Sequence, residues 1–480
     1  MKSIRMTALL LSGAMLFSSM AGCSGGGSTG GNSATATASA APATGSQQQS
    51  GGEIAVSFWS APEKYNLDFW SKYAEKFNAT ATKVNGKTIK VTVQQMPAQP
   101  SSEAGIQNAI TTGSVPAASE NISRSFGATL AKAQAAYDLS KEDWYQSIVS
   151  ERKLDSVMSN WAVDGAQYVV PLYVNPISYA YNSKALKAMG IAKVPTTVDE
   201  FNTLLETYKS KQSELKSSGV SHFMYRYELT RPDDWWERWF DFEAQYDSFS
   251  QGKGIVDGDK LVMDKDSAKK VFDLYGKMGS SLLTGQIQNI WQQKTVPVVV
   301  GMGLPWDVSA NTAAGKKYGL DGDYVFGPML VQNSGDKAYT FADSKGIVLY
   351  KNQNVSDEQH QGAVEFLKYC FTGAGKDSFD IDWLNATTML PVRGDLDTDS
   401  ALTGYFDKNP AMKAISAYVP NGIPCMANEK MSDILTALAS KGLTPYITGK
   451  VVKAQIDQTP DSSSYVDSAI AGMKTAGKLQ

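Results

Sequence analysis

Histidine is almost missing from this chain. Only His222 and His360 occur among 480 residues, neither in metal-ligand spacing or a triad pattern, and no Gly-x-Ser-x-Gly turn is present. A zinc enzyme or a serine hydrolase is therefore poorly supported. Cysteine is scarce too, with three residues in all, which excludes a disulfide framework. Cys370 and Cys425 could pair in an oxidising compartment or stay as two buried thiols, and unpaired thiols are the expectation. No basic run occurs and the formal charge is −3, so nucleic acid is not an expected partner. Past the N-terminus no apolar run approaches the length of about eighteen residues that a spanning helix needs. No repeat of solenoid length is present either.

The N-terminus itself is distinctive. Lys2 and Arg5 precede the apolar run MTALLLSGAMLF, which has signal-peptide length and is too short to cross a bilayer. Ala21 and Gly22 suit a peptidase cleft, and with Cys23 they resemble the lipobox of bacterial lipoproteins, Met20 standing where Leu is usual. That resemblance implies cleavage before Cys23 and diacylglycerol on its thiol; two acyl chains anchor firmly where one holds only weakly. Residues 24–52 carry no large apolar side chain and cannot bury a core. They read as a tether with a reach on the order of 30 Å. The expected layout is a signal peptide over 1–22, a lipidated Cys23 with a flexible tether to 52, and then a folded body. Loss of Lys2 and Arg5 with the leader takes the formal charge from −3 to −5.

What the body has in excess is aromatic surface: ten Trp and twenty-two Tyr. Three indoles fall in DDWWERWFDF at 233–242. On a helix Trp235 and Trp239 would share a face while Trp236 points elsewhere, so core filling and a ligand platform are both open readings. Flat rings suit a ligand with apolar faces and many hydroxyls, and sugars fit that description. EIAVSFWSA and KTIKVTVQQM flank the amphipathic stretch NLDFWSKYAEKFNATA, a β-α-β opening. Strand-like runs recur at QYVVPLYV, TVPVVVGMG, YVFGPMLV and GIVLYK with helices between them. This alternation predicts an α/β fold with parallel sheets covered on both faces. After Pro195, Thr197 with Glu200 three residues on is a capping-box helix start. The body is long for one core, so two lobes are expected.

Four segments then follow in order. Asp164, Gly165, Tyr168 and Pro171 run on to Tyr181 and Asn182; Pro195 and Thr197 lead to Phe201; Pro305 precedes Trp306; and Leu390 to Arg393 reads Leu-Pro-Val-Arg. Together they resemble the extracellular solute-binding proteins of ABC importers, family 1, and within it the sugar-binding group that includes the maltose-binding proteins. One departure is Ala117 after Pro116, where the family often has Asp. The resemblance implies a two-lobed, type II periplasmic-binding-protein-like fold. Three crossings are placed near Pro171–Asn175, Phe326–Leu330 and Thr372–Asp380. The N-terminal lobe is then 53–172 plus 330–375 and the C-terminal lobe 173–329 plus 376–480, with ligand in the cleft between them. The implied protein is a substrate-binding lipoprotein that captures a carbohydrate, an oligosaccharide above all, and hands it to a membrane permease. It would be a monomer, extracytoplasmic and held to the cell membrane by Cys23, without catalytic residues, cofactor or metal.

Site expectations follow from loops after strands and from the resemblance. Trp59 ends the first strand with Ser60 and Glu63 behind it, where related proteins present polar groups to sugar. Glu120 and Arg124 fall in the loop after the helix that ends at Gly113, and Asn175 falls at the first crossing. Tyr227, Trp235 and Trp236 belong to the second lobe, and Trp306 with Asp307 is the leading pair, since the family's matching tryptophan stacks on sugar. Asp343 and Arg393 are expected at the rim, and Trp383 is a further indole. TGAGKDS at 372–378 fails as a phosphate loop, because Cys370 and Asp377 stand where Gly and Ser or Thr are needed. Asp395, Asp397 and Asp399 have calcium-loop spacing, yet Ser400 replaces the turn glycine and Phe406 the bidentate Glu. Two rival functions remain: a secreted glycoside hydrolase, using two carboxylates about 5 to 10 Å apart, and a surface glycan adhesin.

Overall fold

Ile54, Val56, Phe58 and Ser60 turn inward in strict alternation along the strand Glu53–Ser60, the period-2 pattern of a pleated sheet. This strand pairs in parallel with Lys87–Gln95 on one side and Ala118–Ser123 on the other. The computed structural model describes residues 52–99, 101–319 and 322–480. The predicted signal peptide, Cys23 and the tether up to 51 lie outside the described residues.

The first sheet runs in the order Gly422–Ile423, Thr340–Leu349, Ala118–Ser123, Glu53–Ser60, Lys87–Gln95, Lys83–Val84, with Val170–Pro176 pairing antiparallel on Thr340–Leu349. The second runs Leu282–Leu283, His222–Tyr225, Val298–Gly303, Ser178–Asn182, Tyr324–Gly327. Both sheets are mixed rather than all parallel. Apart from the hairpin of Lys83–Val84 with Lys87–Gln95, the antiparallel pairs of these sheets involve Val170–Pro176, Ser178–Asn182 and Thr340–Leu349, the strands that adjoin the passages between the two lobes.

The lobe boundaries differ from those expected. Val170–Pro176 stays wholly in the first sheet and Ser178–Asn182 begins the second, so the first crossing is at Ile177. Val331 exchanges hydrogen bonds with Thr196 and Val198 at 3.0 Å each, which keeps the start of 330–339 with the second lobe. The third crossing moves furthest. The helix Lys64–Asn78 buries Phe69, Trp70, Tyr73 and Phe77, and the helix Lys376–Thr387 sets Phe379 and Trp383 against them, Phe69 meeting Trp383 edge-on at 5.0 Å. Burying those rings together ties 376–387 to the first lobe. Leu390 and Val392 then bond the strand at Val174 and Leu172. The chain crosses after Val392, and Leu402 and Phe406 of the helix Ser400–Lys408 pack with Val298 and Tyr324.

The C-terminal helices Met431–Leu438 and Ser463–Gly477 pack with Lys265–Met278 on the second lobe. Cys370 and Cys425 are both buried free thiols, one in each lobe's core. The capping box forms as predicted: Glu200 N–H donates to Thr197 Oγ1 at 3.2 Å and Thr197 N–H donates to Glu200 Oε2 at 3.1 Å. No helix among the described residues is long and apolar enough to cross a membrane.

Candidate ligand-binding cleft

Between the lobes lies a cavity of about 570 Å³. Most of its aromatic lining comes from the second lobe, as Trp235, Trp236, Trp239, Phe240 and Trp306, with the buried Phe126 the one ring from the first. The first lobe supplies small polar groups instead, among them Ser101, Glu103 and Gln107 at the start of the helix Ser102–Thr112, with Asn121, Ser123 and Ser125 from the next strand and helix. Asp343 and Lys345 reach in from the strand Thr340–Leu349, where Asp343 pairs across to Asn175.

Local geometry explains why the indoles gather. Trp235 and Trp236 sit in a turn, and the chain then enters a π-helical turn over Trp239–Glu243 before the helix Ala244–Phe249. The extra residue per turn brings Phe240 as well as Trp239 to the cavity. Trp235 meets Trp239 edge-on at 5.1 Å, and Trp239 in turn stacks on Phe341 at 5.1 Å and 16°. Trp239 is thus a buried support, 6% exposed, and Trp236 an outer platform, 40% exposed. Behind them Arg238 is fully buried. It holds Asp241 through two bonds of 3.0 and 2.7 Å and the Glu228 carbonyl through one of 2.8 Å. This charge-assisted fork fixes the loop that carries the tryptophans.

Trp306 opens the helix Pro305–Ala313, a position where proline's fixed φ suits the first turn. Its ring meets Phe240 at 6.3 Å and 79°. The neighbouring Asp307 points away, into a separate cavity of about 300 Å³ that it shares with Tyr227, Arg226 and Glu228. The leading pair of the sequence reading is therefore split, because adjacent residues on a helix point about 100° apart. Burial pushes the Asp307 carboxyl up to about 7, and it does the same to Glu228 against the pull of Arg226. In the tryptophan cleft, burial also raises the Glu103 carboxyl, opposed by the charge of Lys345 and a 3.4 Å bond from Ser123.

Four of the sequence-predicted residues meet in this cleft: Trp235, Trp236, Trp306 and Asp343. The others lie elsewhere. Ser60 is fully buried and donates to the Ala61 carbonyl at 3.1 Å; Trp59 packs on the first core; Glu63 is exposed ahead of the helix Lys64–Asn78. Glu120 and Arg124 belong to a strand and a helix start rather than a loop, and they do not pair. Glu120 is fully buried, accepting from the Ala61 N–H at 2.8 Å and Asn66 at 3.1 Å, and burial pushes it up to about 7. Arg124 spends two donors on the Ala162 carbonyl, at 2.9 and 2.8 Å. Asn175, fully buried, accepts from the Leu390 N–H at 3.2 Å and so pins the crossings together. Trp383 is core. Arg393 is a structural cation, joined to Asp380 at 3.1 Å and Asp395 at 2.7 Å, while Asp399 caps the next helix. Those bonds also occupy two carboxylates of the calcium-like run. Among the described residues no group of three or more His, Cys, Asp or Glu gathers to hold a metal.

Sequence reasoning missed Trp239, Phe240, Glu103 and Lys345. An i, i+4 reading puts Trp239 on the face of Trp235 without deciding whether that face is core or cleft, and nothing in the sequence marks a π-helical turn. Glu103 carried a faint signal, an acid in the first turn of a helix opened by serines.

A family model described as bacterial extracellular solute-binding protein matches residues 72–414. Among solved structures, an uncharacterized protein of Listeria monocytogenes EGD-e is similar at 28% identity and a TM-score of 0.74, over 88% of this chain and 98% of that one. A cyclic alpha-maltosyl-1,6-maltose binding protein of Arthrobacter globiformis is similar at 15% identity and a TM-score of 0.67, over 89% and 100%. The galacto-N-biose/lacto-N-biose I-binding protein of an ABC transporter of Bifidobacterium longum, in complex with lacto-N-biose, is similar at 15% identity and a TM-score of 0.60, over 89% and 99%. At 15% identity the likeness is one of fold. Among curated protein sequences none matches.

Proposed function

The chain belongs to the bacterial extracellular solute-binding proteins, and on that premise we propose that the solute it captures is a carbohydrate, taken into the tryptophan cleft and released unaltered to an ABC permease. The observation that carries this reading is the asymmetry of the cleft, with five aromatic rings on the second lobe facing a first-lobe wall made mostly of hydroxyl, amide and charged side chains, where Phe126 is the one ring. A pyranose has the matching form, with C–H faces that lie on rings and a rim of hydroxyls that bond polar groups. Burying an aromatic ring contributes about 1.5 to 3 kcal/mol and each net hydrogen bond about 1 kcal/mol. Two or three rings with a few such bonds reach micromolar affinity, about 8 kcal/mol.

Closure follows from the same geometry. Solute that touches both walls binds the closed form better than the open one and shifts the hinge toward it. Solute-binding proteins of this family act outside the cytoplasm, and Cys23 supplies the lipid anchor that keeps this one beside its permease. The folded body works as a monomer. The test is titration of the protein with mono- and oligosaccharides. A saturable change in tryptophan fluorescence is expected, with contraction in solution scattering and no new reducing ends. Product formation would make the protein a hydrolase, and binding without contraction would make it an adhesin.

A further inference from the structure

The tryptophan cleft is only part of the gap between the lobes. A second cavity of about 510 Å³ lies beside it, with Glu429 lining both. The two share both walls. On the helix Arg124–Lys132, Ser125, Phe126 and Thr129 face the cleft while Ala128, Ala131 and Lys132 face the second cavity. Opposite, Met431 and Ser432 face the cleft, Ala427, Asn428 and Lys430 face the second cavity, and Glu429 borders both. What separates them is a narrow pinch. Ser125 donates from Oγ to the Asn428 carbonyl at 2.7 Å, and Lys132 forms an ion pair with Glu429.

The far wall holds a motif that the cleft did not use. Asp164 and Gly165 form a tight turn between Val163 and Ala166, both at left-handed φ, 50° and 81°. Asp and Gly are among the few residues that tolerate such values. The turn sets Asp164 at the cavity, with the Tyr168 ring close behind. Charge around this cavity is balanced, with Lys132, Lys430 and Lys478 against Asp164, Asp259 and Glu429. Such a lining selects neither an anion nor a cation. It offers hydrogen bonds of both kinds, which suits an uncharged ligand rich in hydroxyls.

We propose that the second cavity is an outer chamber of the binding site, taking the far units of an elongated, uncharged saccharide whose first units stack on the tryptophans. This rests on the carbohydrate reading and extends it to chain length. Each cavity falls within the range of about 300 to 1,000 Å³ common for small-ligand pockets. The cleft alone holds a short chain, and a longer one passes the pinch at Lys132 and Glu429.

Saccharides of increasing length, titrated against the wild-type protein and against Ala131→Trp and Ala427→Trp, test this. Each variant fills the chamber from a different wall at a partly exposed alanine, and thermal melts establish that each is folded. Long chains should bind the wild type about tenfold more tightly than the shortest binder and lose that advantage in either folded variant, while short-chain affinity holds. An affinity in the wild type that does not depend on length would overturn the chamber and leave the carbohydrate reading standing. Equal losses for short and long chains in both variants would do the same. If no saccharide of any length binds, both readings fall.

Discussion

Trp306 and Trp383 are the same residue type with opposite duties, and chemistry alone does not separate them. Trp306 is partly exposed at a helix start and borders the cleft. Trp383 is fully buried between Phe69 and Tyr173. Trp306→Ala should therefore weaken solute binding by roughly 10- to 100-fold, the equivalent of about 1.5 to 3 kcal/mol of lost ring contact, with little change in the urea midpoint. Trp383→Ala should lower folding stability by about 3 to 5 kcal/mol through the cavity it leaves, and change affinity only as far as the protein unfolds. Parallel urea melts and titrations of the two variants check this, and a reversed pattern would exchange their roles.

At the scale of elements, the π-helical turn and the helix after it form the most electrostatically unusual part of the fold. Asp241, Glu243 and Asp247 are all buried there, and Glu243 Oε1 and Asp247 Oδ2 have no hydrogen-bond partner among the described residues. Burial, reinforced by the Asp241 charge, pushes the Glu243 carboxyl up to about 8. The folded chain then keeps a proton that the unfolded chain releases near the ordinary carboxylate value. Stability from this group is complete below that value and is lost as pH rises toward 8, by up to about 1.4 kcal/mol per pH unit. Asp247 is shifted in the same direction by burial and by Glu243. Thermal melts from pH 5 to 8 should show stability falling with pH, and Glu243→Gln should flatten that slope. An unchanged slope would mean that Glu243 is ionised in the folded state.

For the whole molecule, what matters is that the chain passes between the lobes at Ile177, between Gly327 and Thr340, and after Val392, with Gly422–Ile423 touching the first sheet again before the C-terminal helices. Under the proposed closure these passages act together as a hinge, turning solute contact with both walls into movement of one lobe against the other. The proposed anchoring at Cys23 is tested at this scale too. Cys23→Ser should move the protein from the membrane fraction into the medium while purified body binds solute with unchanged affinity; retention in the membrane would rule out Cys23 as the anchor.

The sequence by itself determined the alternation of strands and helices, the capping box at Thr197 and Glu200, and the family, and it singled out the indoles of residues 235, 236 and 306 while leaving the first two open between core and cleft. Each of these is a matter of short spacing, where periodicity, turn chemistry and motif order act within a few residues of chain. Only the tertiary structure decided which lobe claims residues 376–387, because that depends on Phe379 and Trp383 finding Phe69 some 300 positions earlier. It also decided that Glu120, Asn175 and Arg393 serve the scaffold, since a polar group's role is set by the partners that burial imposes on it. The separation of Trp306 from Asp307 has the same origin. Adjacent residues on a helix point about 100° apart, and only packing decides which cavity each one meets.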